Sequence, residues 1–276
     1  MAAGAAFLGA VSMSSGCTDA GTTPLETLTE AVARTLAAST ARASFTVTRL
    51  APGPPTDVLR GEGVFDLENR IGTMRIHAVD LRLPYLSGDV DVVSHGDVQY
   101  LSVPPSVPLG RPWVAVDHRV LGQVPLDPLA LDQLLSADPS TSVRWLRGAR
   151  GDVRRAGGED VRGEPATRFE AVIGVGRASE QAPVDLRPSM GRLASRFGRG
   201  ELPTAVWIGD DDGRVRRLAL RLEPLDPAGE TYVLTVELYD FGPASGPVAV
   251  AVPVPDQVAP VGELLTLPPP RPARRR

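Results

Sequence analysis

Residues 202–241 read LPTAVWIGDDDGRVRRLALRLEPLDPAGETYVLTVELYDF, and this stretch decides the fold. Leu218, Leu220 and Leu222 alternate with Arg217, Ala219 and Arg221. Tyr232, Leu234, Val236 and Leu238 share one face, with Thr235 and Glu237 on the other. A side-chain period of two marks a strand with one buried and one wet face. Asp210-Asp211-Asp212-Gly213 lies between Ile208 and Val215. Asp followed by Gly supplies the positive backbone angles of a tight hairpin. Pro227-Ala228-Gly229 marks the next turn. The segment is a three-strand antiparallel meander with one apolar face, and something has to cover that face.

Immediately upstream, 185–197 is predicted as an amphipathic helix. Leu186, Met190, Leu193, Ala194 and Phe197 fall on one stripe; Arg192, Ser195, Arg196 and Arg199 lie opposite. Pro188 fits the first turn, and Gly198 or Gly200 can stop the helix. Val143 to Leu146, Gly151 to Arg155 and Ala166 to Ile173 read as strands, with a turn at Arg162-Gly163-Glu164-Pro165. Residues 127–135, DPLALDQLL, read as a helix with Asp127 as cap, Pro128 first, and Leu131, Leu134 and Leu135 as its stripe. From Ala43 to Asp117 the period is again two: Phe45 and Val47 alternate with Thr46 and Thr48, Gly61 to Leu67 reads as a strand, and Met74 and Ile76, then Val90 and Val92, follow, with turns at Glu68-Asn69-Arg70 and His95-Gly96-Asp97. Short strands joined by turns imply a second meander. Thr23 and Pro24 open an N-terminal helix with Leu25, Leu28, Val32 and Leu36 at helical spacing. Downstream, Pro247 to Val252 reads as a weak last strand, and residues 261–276 as a disordered Pro/Arg-rich tail.

Composition narrows the function. The chain has 276 residues, a net charge of −4 and 42% apolar residues but only 5% aromatics. That allows a sizeable, mostly aliphatic core and gives no electrostatic case for a nucleic-acid partner. All 29 basic residues are arginine. The single cysteine, Cys17, excludes an intramolecular disulfide. Residues 1–16, MAAGAAFLGAVSMSSG, are small and apolar, like the end of a signal peptide. Ser14-Ser15-Gly16-Cys17 reads as a lipobox, with Ser14 where leucine is usual, so Cys17 is the predicted lipidation site and 17–23 a linker. The alternative is an uncleaved N-terminus with an incidental thiol. Lipidation would anchor the chain to a membrane without spanning it.

No chemistry-bearing constellation emerges. There is no Gly-x-Ser-x-Gly elbow, P-loop or Gly-x-Gly-x-x-Gly. His77, His95 and His118 have no partner at metal-ligand spacing. The acids of Asp210-Asp211-Asp212-Gly213 are consecutive, and Arg221 stands where a calcium loop needs its bidentate Glu, so the block is a hairpin turn. Neither an enzyme activity nor a cofactor or metal is expected. The remaining signal is apolar surface. The predicted fold is α+β: a single antiparallel curved sheet, a half β-barrel, with amphipathic helices on its concave face around a hydrophobic cavity. Periodicity leaves open whether that space is a cavity or a filled core.

The segment from Leu202 to Arg217 resembles the "Pro-x-x-Val-Trp-Ile-Asp-x-Asp-Gly-x-x-Arg-Arg" run of the LppX/LprG-type lipoproteins of mycobacteria and other actinobacteria. Val161 to Phe169 is similar to the "x-Gly-x-Pro-Thr-x-x-Tyr" strand of that family, and Leu238 to Gly242 with Pro253 to Val258 to its ending. The resemblance covers residues 17 to about 260, so 24–260 is taken as the domain. It implies a LolA/LolB-like half-barrel that binds an acylated lipid or lipoglycan and helps carry it across the envelope, without enzymatic chemistry. The implied partners are that lipid, the membrane through an N-terminal anchor on its outer face, and a membrane exporter. The chain is expected to be a monomer. The inward strand residues Phe45, Phe65, Met74, Ile76, Val92, Leu218, Leu220, Leu234 and Val236 are the candidate liners. Leu186, Met190, Leu193 and Phe197 form the opposite wall, with a head group near Arg192 or Arg196. The alternative is a sensor or interaction lipoprotein of the same fold with a filled core.

Overall fold

The computed structural model describes residues 22–50, 53–78, 88–119, 138–184, 186–188, 190–191, 200–224 and 229–267. Among them, two meanders meet at the centre of one sheet. The first comprises β1 (Thr40–Arg49), β2 (Thr56–Asp66), β3 (Ile71–Ala78), β4 (Gly88–His95), β5 (Val98–Ser102) and β6 (Trp113–Asp117). The second comprises β7 (Arg154–Val161), β8 (Glu164–Gly174), β9 (Glu201–Gly209), β10 (Val215–Leu222) and β11 (Tyr232–Tyr239). β1 and β11 pair antiparallel, Phe45 opposite Val236, and join the halves. With β12 (Val258–Pro260) the order is β12-β6-β5-β4-β3-β2-β1-β11-β10-β9-β8-β7, a 12-stranded sheet that curves and stays open. All pairs are antiparallel except that of β12, which runs parallel to β6.

Every strand except β7 contributes residues to one continuous apolar layer, and the helices lie on it. The first, α1 (Pro24–Leu36), starts with a capping box: Thr23 Oγ1 accepts from Glu26 N at 3.3 Å, and Thr23 N donates to Glu26 Oε2 at 2.8 Å. Leu28, Ala31, Val32 and Leu36 turn its stripe into the core. Thr35 fixes its position. The fully buried hydroxyl donates to Ala31 O at 2.6 Å and accepts from Val215 N of β10 at 2.8 Å. The next helices, α2 (Pro139–Trp145) and α3 (Val175–Glu180), bring Val143, Trp145, Val175 and Ala178 to the same layer.

Several expectations from sequence are corrected. Val143 to Leu146 is not a strand but the end of α2 and a 3-10 turn; Asp138 caps the helix through Ser140 N at 2.9 Å, with Pro139 in its first turn. Local capping outweighs a short apolar alternation there. The strand expected at Gly151 to Arg155 runs instead over Arg154–Val161. Its residues are exposed up to Asp160, as suits a sheet edge, so no period of two marked it. A register shift between Arg155 and Gly157, with Gly157 at φ 119°, irregularises that edge. Pro247 to Val252 forms no strand, and the last strand is Val258–Pro260. The chain also stays packed beyond residue 260. Val261–Leu265 is a helix, α4, with Leu264 fully buried against the sheet end, so the tail expected from 261 starts too early. The helix expected at 127–135, Cys17 and the residues before it lie outside the described residues.

Thr35→Val keeps the shape of the side chain but strands the buried Val215 N–H. It should cost about 1–3 kcal/mol, read as a lower urea midpoint with an unchanged m-value.

Candidate functional site

The apolar face is built in rows across the sheet. One row runs Leu218, Val236, Phe45, Gly61, Ile76 and Val90. The next runs Leu238, Ala43, Gly63, Met74, Val92, Leu101 and Val114. Leu220 pairs with Leu234 in the row on the other side. All nine expected strand liners thus share this face, none more than 4% exposed. Leu186 and Met190 belong to the same contiguous cluster, and Arg187, Pro188, Met190 and Gly191 are helical. The expected wall residues Leu193 and Phe197, and the head-group candidates Arg192 and Arg196, lie outside the described residues.

Two glycines shape the face in a way the sequence reading missed. A Cβ at Gly61 would come within 2.5 Å of Phe45 Cε1 and 2.9 Å of Met74 Sδ; one at Gly72 would come within 2.3 Å of Phe65 Cδ1. Each ring therefore lies down on a glycine of the neighbouring strand instead of standing off the sheet. The signal lay in Gly61, Gly63 and Gly72 falling in phase with the apolar positions.

Polar groups close one end of this face. Arg70, at φ 58° in the β2–β3 turn, is 8% exposed. Its Nε donates to Asp138 Oδ2 at 3.4 Å and its Nη1 to Asp97 Oδ1 at 3.3 Å. Asp138 also accepts from the hydroxyls of Ser140 and Thr141, which ties α2 to the sheet end. Gln99, on β5 in phase with Leu101, is buried between Ser94 of β4 and Val116 of β6. The alternation Val98-Gln99-Tyr100-Leu101 carries that placement in the sequence.

The opposite face is ionic. The tip of the β7–β8 hairpin folds over it, packing Val161 and Ala166 on Trp207. Trp207 Nε1 donates to Glu159 Oε2 at 2.9 Å, and Arg168 and Arg217 flank the indole at 5.4 and 5.2 Å. Arg162 reaches Glu237 at 2.8 Å and Ser44 at 3.0 Å and stacks on Tyr239 at 3.8 Å. Tyr239 in turn donates to Glu62, which holds the Glu62 carboxyl below its ordinary 4.5, with help from Arg42 and Arg162. Burial, then Glu62, raises the Tyr239 phenol. Among the described residues no group of three or more His, Cys, Asp or Glu side chains is placed to hold a metal ion. His77 pairs with Asp89 at 2.7 Å on the rim, and no described helix is long and apolar enough to cross a membrane.

With this geometry established, the chain is similar to the lipoprotein LppX of Mycobacterium tuberculosis. The TM-score is 0.50 at 13% identity, over 83% of this chain and 98% of that one. It is also similar to LprF of Mycobacterium bovis, with a TM-score of 0.46, 14% identity, and coverage of 83% and 96%. A LolA-superfamily protein of Nitrosomonas europaea gives 0.33, 10%, 85% and 96%. No protein-family model matches the chain, and no curated protein does. The chain has the LppX-type fold: one open curved sheet with its helices on the apolar face. The resemblance drawn from residues 202–217 is met at the level of fold.

Glu62 also sets a pH dependence. Its folded pKa is lowered, so its contribution is present above the unfolded value near 4.5 and lost as pH falls through the folded value. Tyr239→Phe should therefore lower stability at about pH 7, and the effect should fade as pH falls below the ordinary carboxylate value near 4.5. Parallel urea titrations of both proteins check this.

Proposed function

We propose that this protein is a cell-envelope lipoprotein that binds an acylated lipid or lipoglycan between its sheet and its helices and helps carry it across the envelope. The observation that carries the reading is the inner face itself. Phe45, Met74, Ile76, Val92, Leu220 and Val236 lie in adjoining rows of one aliphatic surface, faced by Leu186 and Met190. Holding acyl chains there removes about 0.8 kcal/mol of exposure per methylene and needs no covalent chemistry. The protein acts without enzymatic turnover and without a cofactor. Cys17 carries the lipid anchor on the outer face of the cell membrane, the working form is a monomer, and a membrane exporter passes the cargo on. The LppX-type fold supports this reading.

A second reading is favoured by the rings of Phe45 and Phe65. Seated on Gly61 and Gly72, they close part of the face with the chain's own side chains. In that case the protein is an interaction or sensor lipoprotein with a filled core.

The double variant Leu220→Trp/Val236→Trp separates the two. If the face lines a lipid space, it should fold and abolish uptake of a dansyl-labelled fatty acid. If the space is filled, the added volume should cost about 1–3 kcal/mol per site, seen as a lower melting temperature, while the wild type takes up no probe.

A further inference from the structure

Gln99 does not fit an aliphatic surface, and it is 1% exposed. It faces inward from β5, opposite Ser94 on β4 and Val116 on β6, two residues from Leu101. Neither its Oε1 nor its Nε2 has a hydrogen-bond partner. Two other buried polar side chains of the core have theirs: Thr35 bonds Ala31 O and Val215 N, and Thr204 bonds Leu202 O at 3.0 Å. A buried amide without partners costs about 1–3 kcal/mol by mutational measure, and native proteins keep few such groups. A leucine at 99 would continue the pattern of Val92, Leu101 and Val114 at no such cost.

Resting on the lipid-binding reading, we infer that Gln99 is a specificity-determining residue of the inner face, and that the ligand carries a hydroxyl embedded in its hydrocarbon. The chemistry follows from the two bare atoms. Nε2 needs an acceptor and Oε1 needs a donor. An ester or carboxylate offers acceptors only and leaves Oε1 bare. An ammonium offers donors only and brings a charge into an apolar layer. A hydroxyl both donates and accepts, is neutral, and fits between methylenes. Two sources share this chemistry: a hydroxylated acyl chain, and the free hydroxyl of a partly acylated polyol.

Binding to the delipidated full chain tests the inference with matched probes, ricinoleate against oleate and diolein against triolein. The hydroxylated member of one pair should bind about threefold to tenfold tighter, and the pair showing the preference identifies the source. Gln99→Leu and Gln99→Met should erase the preference, keep binding of the plain member, and raise the melting temperature of the ligand-free protein. Equal binding within both pairs overturns this inference and leaves the lipid-binding reading standing. A lower melting temperature in both variants, with no preference in the wild type, also overturns it, because Gln99 then holds an internal water. Uptake of none of the four probes overturns the lipid-binding reading, and this inference with it.

Discussion

Burial of one apolar face is the interaction on which everything else depends. Strands of both meanders alternate in the same sense, so the sheet has a single greasy side running from Val114 of β6 to Phe169 of β8. At about 25 cal/mol per Å² of apolar surface removed from water, that layer outweighs any single polar contact in the molecule. The helices have their places because of it. The Thr35 hydroxyl between α1 and β10, and Asp138 at the start of α2, set where each helix sits on the layer. The two edges are managed differently. Leu264 of α4 is buried at the β12 end, while β7 at the other end is exposed, charged and out of register at Gly157.

The outer face does a different job. Its ion pairs are mostly half-exposed, and each contributes little alone. Together, Glu159, Trp207, Arg217, Glu237 and Arg162 connect the β7–β8 hairpin to β9, β10, β11 and, through Ser44, to β1. Registry of the outer half of the sheet is thus held from the wet side, leaving the inner side free of polar demands. Arg70 with Asp97 and Asp138 at the sheet end, and Gln99 within the layer, depart from that division.

The sequence made legible whatever rests on period. The hairpins around Asp212-Gly213 and Arg162-Gly163, the inward phase of Leu218, Leu220, Leu234 and Val236, and the α1 cap at Thr23 could all be read from residue spacing. What was not legible depended on partners distant in the chain. β7 is an edge whose side chains meet water on both faces, so it carries no alternation. β12 is three residues long and exists because β6 offers it a parallel edge. At α2, the cap at Asp138 competes with apolar alternation in Val143 to Leu146, and only the packing of Trp145 into the layer shows which prevails. On the site, the rows of liners could be read in advance, but the glycines beneath Phe45 and Phe65 could not, because a glycine's use depends on which ring lies over it.

Lipid binding requires the inner face to be a place for hydrocarbon from outside the chain. Native mass spectrometry of the protein purified from its own cell envelope, followed by lipid extraction, tests that most directly. A lipid carrier should show a near-stoichiometric adduct that releases an acylated lipid. A bare protein mass, with no uptake of offered lipids, would contradict that reading and leave the face as a filled core.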